Sequence, residues 1–200
     1  MPNGKLDPSF YRRDDVVQIS RDLVGKILCT KIEDEPLTSG IIVETEAYCG
    51  RNDKACHANN GLRTKRTEVM YQPGGLAYVY LCYGIHHLFN VVTNVKNTAD
   101  AILVRAVEPV EGIKTMAKRR GANKVTPSLT NGPGKLTQAL GIHTSMSGTD
   151  LTDNNIWIEE GLEDRGEIIA SPRIGVDYAG SHAKRPWRFH IKNNKWVSRK

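Results

Sequence analysis

Val43-Glu44-Thr45-Glu46-Ala47-Tyr48 is a strand-like run in which small and β-branched residues alternate with two carboxylates and a phenol. Successive strand side chains point to opposite faces, so Glu44, Glu46 and Tyr48 share one face and Val43, Thr45 and Ala47 the other. A strand that only packs a sheet has no need of two acids beside an aromatic ring. The cluster is therefore either a solvated strand face or a place where chemistry is done. Upstream, Asp34-Glu35-Pro36 reads as a turn between strands at residues 26–32 and 39–48, an antiparallel pair. Ahead of them, residues 7–28 read as a helix opened by Asp7-Pro8, with Val16, Ile19, Leu23 and Val24 as its apolar stripe. Downstream, residues 49–76 lack periodic apolar positions and read as a long irregular loop with one short helix; loops of this length are uncommon and often functional. Two β-rich runs, 76–82 and 88–95, flank Tyr83-Gly84-Ile85-His86 and predict a hairpin with glycine at its tip. A strand at 101–107, a basic helix at 110–120, a short amphipathic helix after Gly132-Pro133-Gly134, and strands near 156–159, 168–174 and 189–191 follow. Strands and helices do not alternate in a βαβ rhythm, and no internal repeat appears. The fold class is therefore α+β, with a curved, mainly antiparallel sheet.

Two hundred residues, 39% hydrophobic and 25% charged, match a single soluble globular domain spanning 1–200 with ample core. No apolar stretch approaches the roughly 20 residues needed to span a bilayer, and residues 1–7 lack the apolar core of a signal peptide. A cytoplasmic chain with no membrane partner is expected. Cys29, Cys49, Cys56 and Cys82 are too scattered for a disulfide framework, so reduced thiols are expected. Neither C-x-x-C nor H-E-x-x-H occurs, and Cys49 and Cys56 with only His57 adjacent are poor zinc spacing, so no metal is expected. The net charge of +6 is spread along the chain, with Lys114, Lys118, Arg119, Arg120 and Lys124 in one run and more basic residues in 184–200. Such runs are solvated faces and frayed tails or phosphate contacts, and charge alone does not separate the two.

Glu46, near the end of its strand, is placed to act as a general base that orients and deprotonates a water. Tyr48 lies on the same face, His57 follows in a loop able to fold back, and Arg105 is a strand-borne cation that can orient the same carboxylate or water. Tyr78 and Tyr80 share a face of the hairpin's first strand, as core tyrosines do. Tyr83, beside Gly84 at the tip, projects without burying apolar area, which on a basic protein fits a wedge that unstacks bases. Gly132-Pro133-Gly134-Lys135 lacks Walker A spacing; it is either a plain helix-entry turn or an anion site for one DNA phosphate, with Lys135 as its cation.

Val43 to Tyr48, Asp53 to His57, Tyr78-Val79-Tyr80 with Tyr83-Gly84, Asn90, Arg105-Ala106-Val107-Glu108-Pro109 and Gly132-Pro133-Gly134-Lys135-Leu136 together resemble the signature segments of the alkyladenine (3-methyladenine) DNA glycosylases. The resemblance runs in order over residues 9–198. It implies a single α+β domain whose hairpin inserts into the DNA minor groove, and no cofactor, metal or organic. It implies Glu46 as general base with Arg105 beside the catalytic water, and Tyr83 as the intercalating residue. Tyr48, His57 and Tyr80 are implied as the pocket that sandwiches the flipped base, Asn90 as the wall excluding guanine, and Ile174 as the position whose backbone helps hold the water. The hairpin departs from the vertebrate pattern, with Ile85-His86 in place of a methionine and an aromatic, and the connection from Asn90 to Arg105 is slightly longer.

The expected activity is monofunctional hydrolysis of the N-glycosidic bond of flipped alkylated or deaminated purines in double-stranded DNA, by a monomer. The implied place is the nucleoid-containing cytoplasm of a bacterium or the nucleus of a eukaryote. Glu44 is expected to support a nearby cation rather than act as a second acid. Two rivals stand beside this: a non-catalytic nucleic-acid-binding module on the same basic surface, and a zinc nucleobase deaminase, whose H-x-E and P-C-x-x-C elements the chain lacks.

Overall fold

The computed structural model describes residues 4–199; Met1 to Asn3 of the expected N-terminal segment and Lys200 of the basic tail lie outside the described residues. The chain runs α1 (Pro8–Tyr11), α2 (Val16–Leu23), β1 (Ile27–Thr30), β2 (Thr38–Tyr48), β3 (Ala77–Cys82), β4 (His86–Thr93), β5 (Asp100–Glu111), α3 (Ile113–Arg120), α4 (Pro133–Leu140), β6 (Ile156–Glu159), β7 (Ile168–Ser171) and β8 (Arg188–Ile191). All pairings within the one sheet are antiparallel. The path β3-β4-β5-β2-β1-β6 is completed by β8, which pairs with both β2 and β7. This is the α+β architecture expected from the pattern.

The strand expected over 168–174 ends at Ser171 and that expected over 88–95 runs from His86 to Thr93, and three further differences have a local reason. The helix expected over residues 7–28 is two, because Asp15 turns extended and accepts the Val17 and Gln18 N–H groups, capping a new start at Val16. The basic helix begins at Ile113 rather than residue 110, since Val110 and Glu111 stay in β5 and Gly112, at φ 68°, makes the turn. A Cβ there would sit 2.3 Å from the Leu37 carbonyl oxygen, so only glycine fits. The loop from 49 to 76 carries two single 3-10 turns, Asn59–Gly61 and Glu68–Tyr71, instead of one helix.

The core forms where α2 and α4 pack on the sheet: Ile19, Leu23, Ile42, Phe89, Ile102, Val104, Leu136 and Leu140 are all fully buried. Each such side chain stabilises the fold by roughly 1.5–3 kcal/mol. A smaller cluster, containing Met70, Tyr71, Tyr78 and Val92, seats the long loop against the other end of the sheet. Among the described residues no helix is long and apolar enough to cross a membrane.

Two features of β2 prepare the site. Its first part pairs with β1 and its later part, Glu44 to Glu46, pairs with β8, while β5 runs along the other edge. Glu44, Thr45 and Glu46 are thus enclosed from both sides and have no exposure. The register with β5 also shifts on either side of Glu44: Ile42 pairs with Val107, Glu44 with Ala106 and Thr45 with Val104. Val43 and Arg105 are passed over, and such irregularities re-aim side chains. On β5, Ala101, Leu103 and Arg105 then line the same pocket.

Candidate active site

The face of β2 anticipated from its alternation is a buried, fully partnered acid cluster. Glu46 Oε1 accepts the backbone N–H of Ile174 at 2.8 Å, and Oε2 accepts the Tyr48 hydroxyl at 2.7 Å. Arg105 Nη1 lies 3.3 Å from the same Oε2. Arg105 is also the bridge to Glu44, whose Oε1 accepts from its Nε at 3.2 Å. The Glu44 carboxylate is then closed by Arg188 Nη1 at 2.8 Å, Ser198 Oγ at 3.0 Å and the Ser198 N–H at 2.6 Å. The two acids that share a face therefore have different surroundings. Glu44 faces cations and the C-terminal segment, while all three partners of Glu46 line a pocket.

That pocket holds about 410 Å³, and Tyr48, His57, Tyr80, Asn90, Arg105 and Ile174 all line it, with Tyr83 at its rim. The volume has room for a purine and lies within the usual range of small-ligand sites. The His57 and Tyr80 rings meet edge to face at 4.7 Å, and Tyr78 and Tyr80 lie 5.4 Å apart. His57 Nδ1 is 2.9 Å from the Tyr78 hydroxyl. Burial, and after it the Arg66 charge, pushes the His57 imidazole down to about 4, so the ring is neutral at physiological pH. Burial foremost, then the charge of Glu46, holds the Tyr48 phenol well above its ordinary value, so it donates rather than ionises. For Arg105, burial disfavours the charged form, but the Glu46 and Glu44 carboxylates outweigh it and the guanidinium stays charged. Asn90 spends its amide donors on the Tyr78 and Leu88 carbonyls at 3.1 and 3.4 Å, so what it offers a ligand is the Oδ1 acceptor.

The hairpin closes with a three-residue loop, Tyr83-Gly84-Ile85, between Cys82 and its partner His86. Tyr83 adopts φ 50° and is 92% exposed, with Ile85 beside it at 71%. An aromatic residue in the left-handed region, open to water, costs the fold roughly 1–2 kcal/mol without burying anything. Lys135 lies outside the pocket. Its Nζ donates to Asn131 Oδ1 at 3.0 Å, and α4 begins against the hairpin's return strand, where a Cβ on Gly134 would sit 3.0 Å from the His86 ring. In the basic run, Arg119 pairs with Glu35 and donates to the Ala139 carbonyl, and Arg120 bonds Gln138, so these two cations serve the fold.

Sequence reasoning missed several residues. Arg173 forms a buried ion pair with Asp53 and packs its guanidinium 4.7 Å from the Tyr48 ring. Arg188 and Ser198 complete the Glu44 cage, and Tyr178, 71% exposed, lines the pocket while its hydroxyl donates to the Ala55 carbonyl at 3.1 Å. The only available signal for Arg173 was its position next to Ile174. Among the described residues no group of three or more His, Cys, Asp or Glu side chains is placed to hold a metal ion.

Against known proteins, a family model described as methylpurine-DNA glycosylase (MPG) matches residues 9–195. A protein of Natranaerobius thermophilus, provisionally named 3-methyladenine DNA glycosylase, is 46% identical over 198 residues, covering 97% of this chain and 98% of that one. One of Chlamydia felis with the same provisional name is 47% identical over 195 residues, covering 96% and 100%. One of Clostridium acetobutylicum, named likewise, is 44% identical over 201 residues, covering 97% of each.

Proposed function

The chain belongs to the methylpurine-DNA glycosylase family, and from that premise we propose that it is a monofunctional 3-methyladenine DNA glycosylase of base excision repair, acting as a monomer on double-stranded DNA. The observation that carries the reading is the placement of Glu46. It is the one carboxylate bonded by three groups, Tyr48, Arg105 and the Ile174 N–H, that together form a wall of an aromatic pocket roomy enough for a purine.

The target, C1′ of a deoxyribose, is unreachable in a stacked duplex, so the damaged nucleotide is rotated out at a cost of a few kcal/mol. Tyr83, already extended into solvent at the hairpin tip, fills the vacated space and offsets part of that cost. The base enters between Tyr48, His57 and Tyr80. A purine methylated at N3 or N7 is cationic and gains roughly 0.5–2 kcal/mol from an electron-rich ring face. A neutral His57 adds no repelling charge there.

Oε1 of Glu46 has a second lone pair beyond the one used by Ile174, and it accepts the proton of a water seated at that wall. The water oxygen bonds C1′ as the C1′–N9 bond breaks, the electron pair departing with the purine. A cationic purine leaves neutral, without prior protonation, and the Glu46 charge stabilises the oxocarbenium character that develops on the sugar. Arg105 and the Tyr48 hydroxyl hold the carboxylate in place through the step. Among the described residues no lysine lines the pocket, which supports water rather than an amine as nucleophile and a product strand left intact.

The test is single-turnover base release from alkylated duplex DNA, read as alkali-labile abasic sites. Glu46→Gln is expected to slow release by about 10²–10⁴-fold, the usual worth of a general base. Near-normal release by this variant would overturn the mechanism; salt-sensitive binding without any release by the native protein would favour a binding module instead.

A further inference from the structure

Arg173 is unusual in that its side chain is fully enclosed, carries a charge and does not itself line the pocket, although Ile174, Gly175 and Val176 after it all do. Its guanidinium forks onto both carboxylate oxygens of Asp53, with Nη2 to Oδ1 at 2.8 Å and Nη1 to Oδ2 closer still. Nη1 also donates to the Ala47 carbonyl at 2.8 Å and Nη2 to the His182 carbonyl at 3.2 Å. The guanidinium centre lies 4.7 Å from the Tyr48 ring and 5.2 Å from that of Trp187. One side chain thus ties together the β2 backbone between Glu46 and Tyr48, the loop that delivers the Ile174 N–H to Glu46, and the Asp53 end of the loop that carries His57.

The same placement has an electrostatic consequence. A ring attracts a cation through its π face, and Tyr48 already carries over its ring the Arg173 guanidinium, which is not among the groups lining the pocket. Unbalanced, that guanidinium repels a positively charged base on the opposite face, roughly 8 Å away through the ring. Asp53 cancels it at contact distance.

We propose that Asp53 and Arg173 form a charge-neutral positioning pair that sets the lesion preference of the pocket, keeping the Tyr48 face open to cationic purines while holding Ile174 on Glu46. The inference rests on the reading of Tyr48 as a wall of the base pocket.

The experiment measures single-turnover release from two substrates, DNA alkylated to carry cationic 3-methyladenine and a duplex with one neutral hypoxanthine, and takes the ratio of rates. Asp53→Asn leaves the guanidinium uncompensated and lowers the cationic-to-neutral ratio by about tenfold, the effect of one charge about 8 Å away at an effective dielectric near 30. Arg173→Lys keeps the charge but loses the fork, so both rates fall and the ratio holds. In the double variant D53N/R173M neutrality returns, and so does the native ratio, even though both rates stay low. If D53N does not accumulate as folded protein, Arg173→Met reads the same balance with opposite sign, its unpaired Asp53 raising the ratio. A ratio within twofold of native in D53N, or in R173M where D53N does not fold, overturns the proposal, as does a double variant that keeps a shifted ratio. A native protein that releases neither base refutes the glycosylase reading itself, which is a separate outcome.

Discussion

Replacing Glu44 by Gln separates support from chemistry in the acid cluster. Glu44, Glu46, Arg105 and Arg188 form a buried set whose charges balance, and the substitution leaves it one positive charge in excess. The amide keeps a single acceptor. If that oxygen faces Arg105 and Arg188, the new NH2 meets the Ser198 N–H, which the native carboxylate accepts at 2.6 Å; turned the other way, it faces two guanidinium groups. Neither rotamer satisfies all donors, and removing one member of a buried ion pair costs about 3–5 kcal/mol. At about 2–4 °C per kcal/mol for a chain of this size, the melting temperature should fall by about 6–20 °C. Differential scanning calorimetry checks the loss, and single-turnover release below the transition checks the chemistry, where Glu44→Gln should lose about tenfold or less, against the 10²–10⁴-fold for Glu46→Gln. A variant that melts within about 2 °C of native but releases base as poorly as Glu46→Gln would refute the reasoning and make Glu44 a second acid.

Tyr83→Ala removes a side chain that buries nothing, so its stability to urea should stay within about 0.5 kcal/mol of native while lesion release from duplex DNA falls; equal loss on single-stranded substrate would argue against a wedge. The His57 imidazole is depressed from 6.5 to about 4, so between those values the unfolded chain binds a proton that the folded one refuses. Stability from this group is complete above pH 6.5 and is lost as the pH falls toward 4. His57→Gln should flatten melting temperature against pH across that window, and an unchanged slope would show that other groups carry it.

What was legible along the chain is what depends on near neighbours. Alternation placed Glu44, Glu46 and Tyr48 on one face, the glycine at residue 84 marked the hairpin tip and its projecting tyrosine, and the lack of a βαβ rhythm settled the antiparallel class. Two of the boundary errors came from local competition: Asp15 offers a cap stronger than the pull to continue one helix, and β5 continues through Pro109 to Val110 and Glu111, past the point where a helix was expected.

The difference between the two carboxylates was not legible, because identical side chains two residues apart are distinguished only by what packs on them. Arg188 and Ser198 reach Glu44 from 144 and 154 residues away, and the Ile174 N–H reaches Glu46 from 128. Arg173 and Asp53, 120 residues apart, form no pattern in the sequence and meet behind Tyr48. The sequence by itself determined the fold class and which short segments carry acids, rings and turns, since period and turn chemistry are set within a few residues. Only the tertiary structure decided which acid is held by the groups that line the pocket, because burial, charge balance and hydrogen-bond partners are supplied by segments that meet only once the chain is folded.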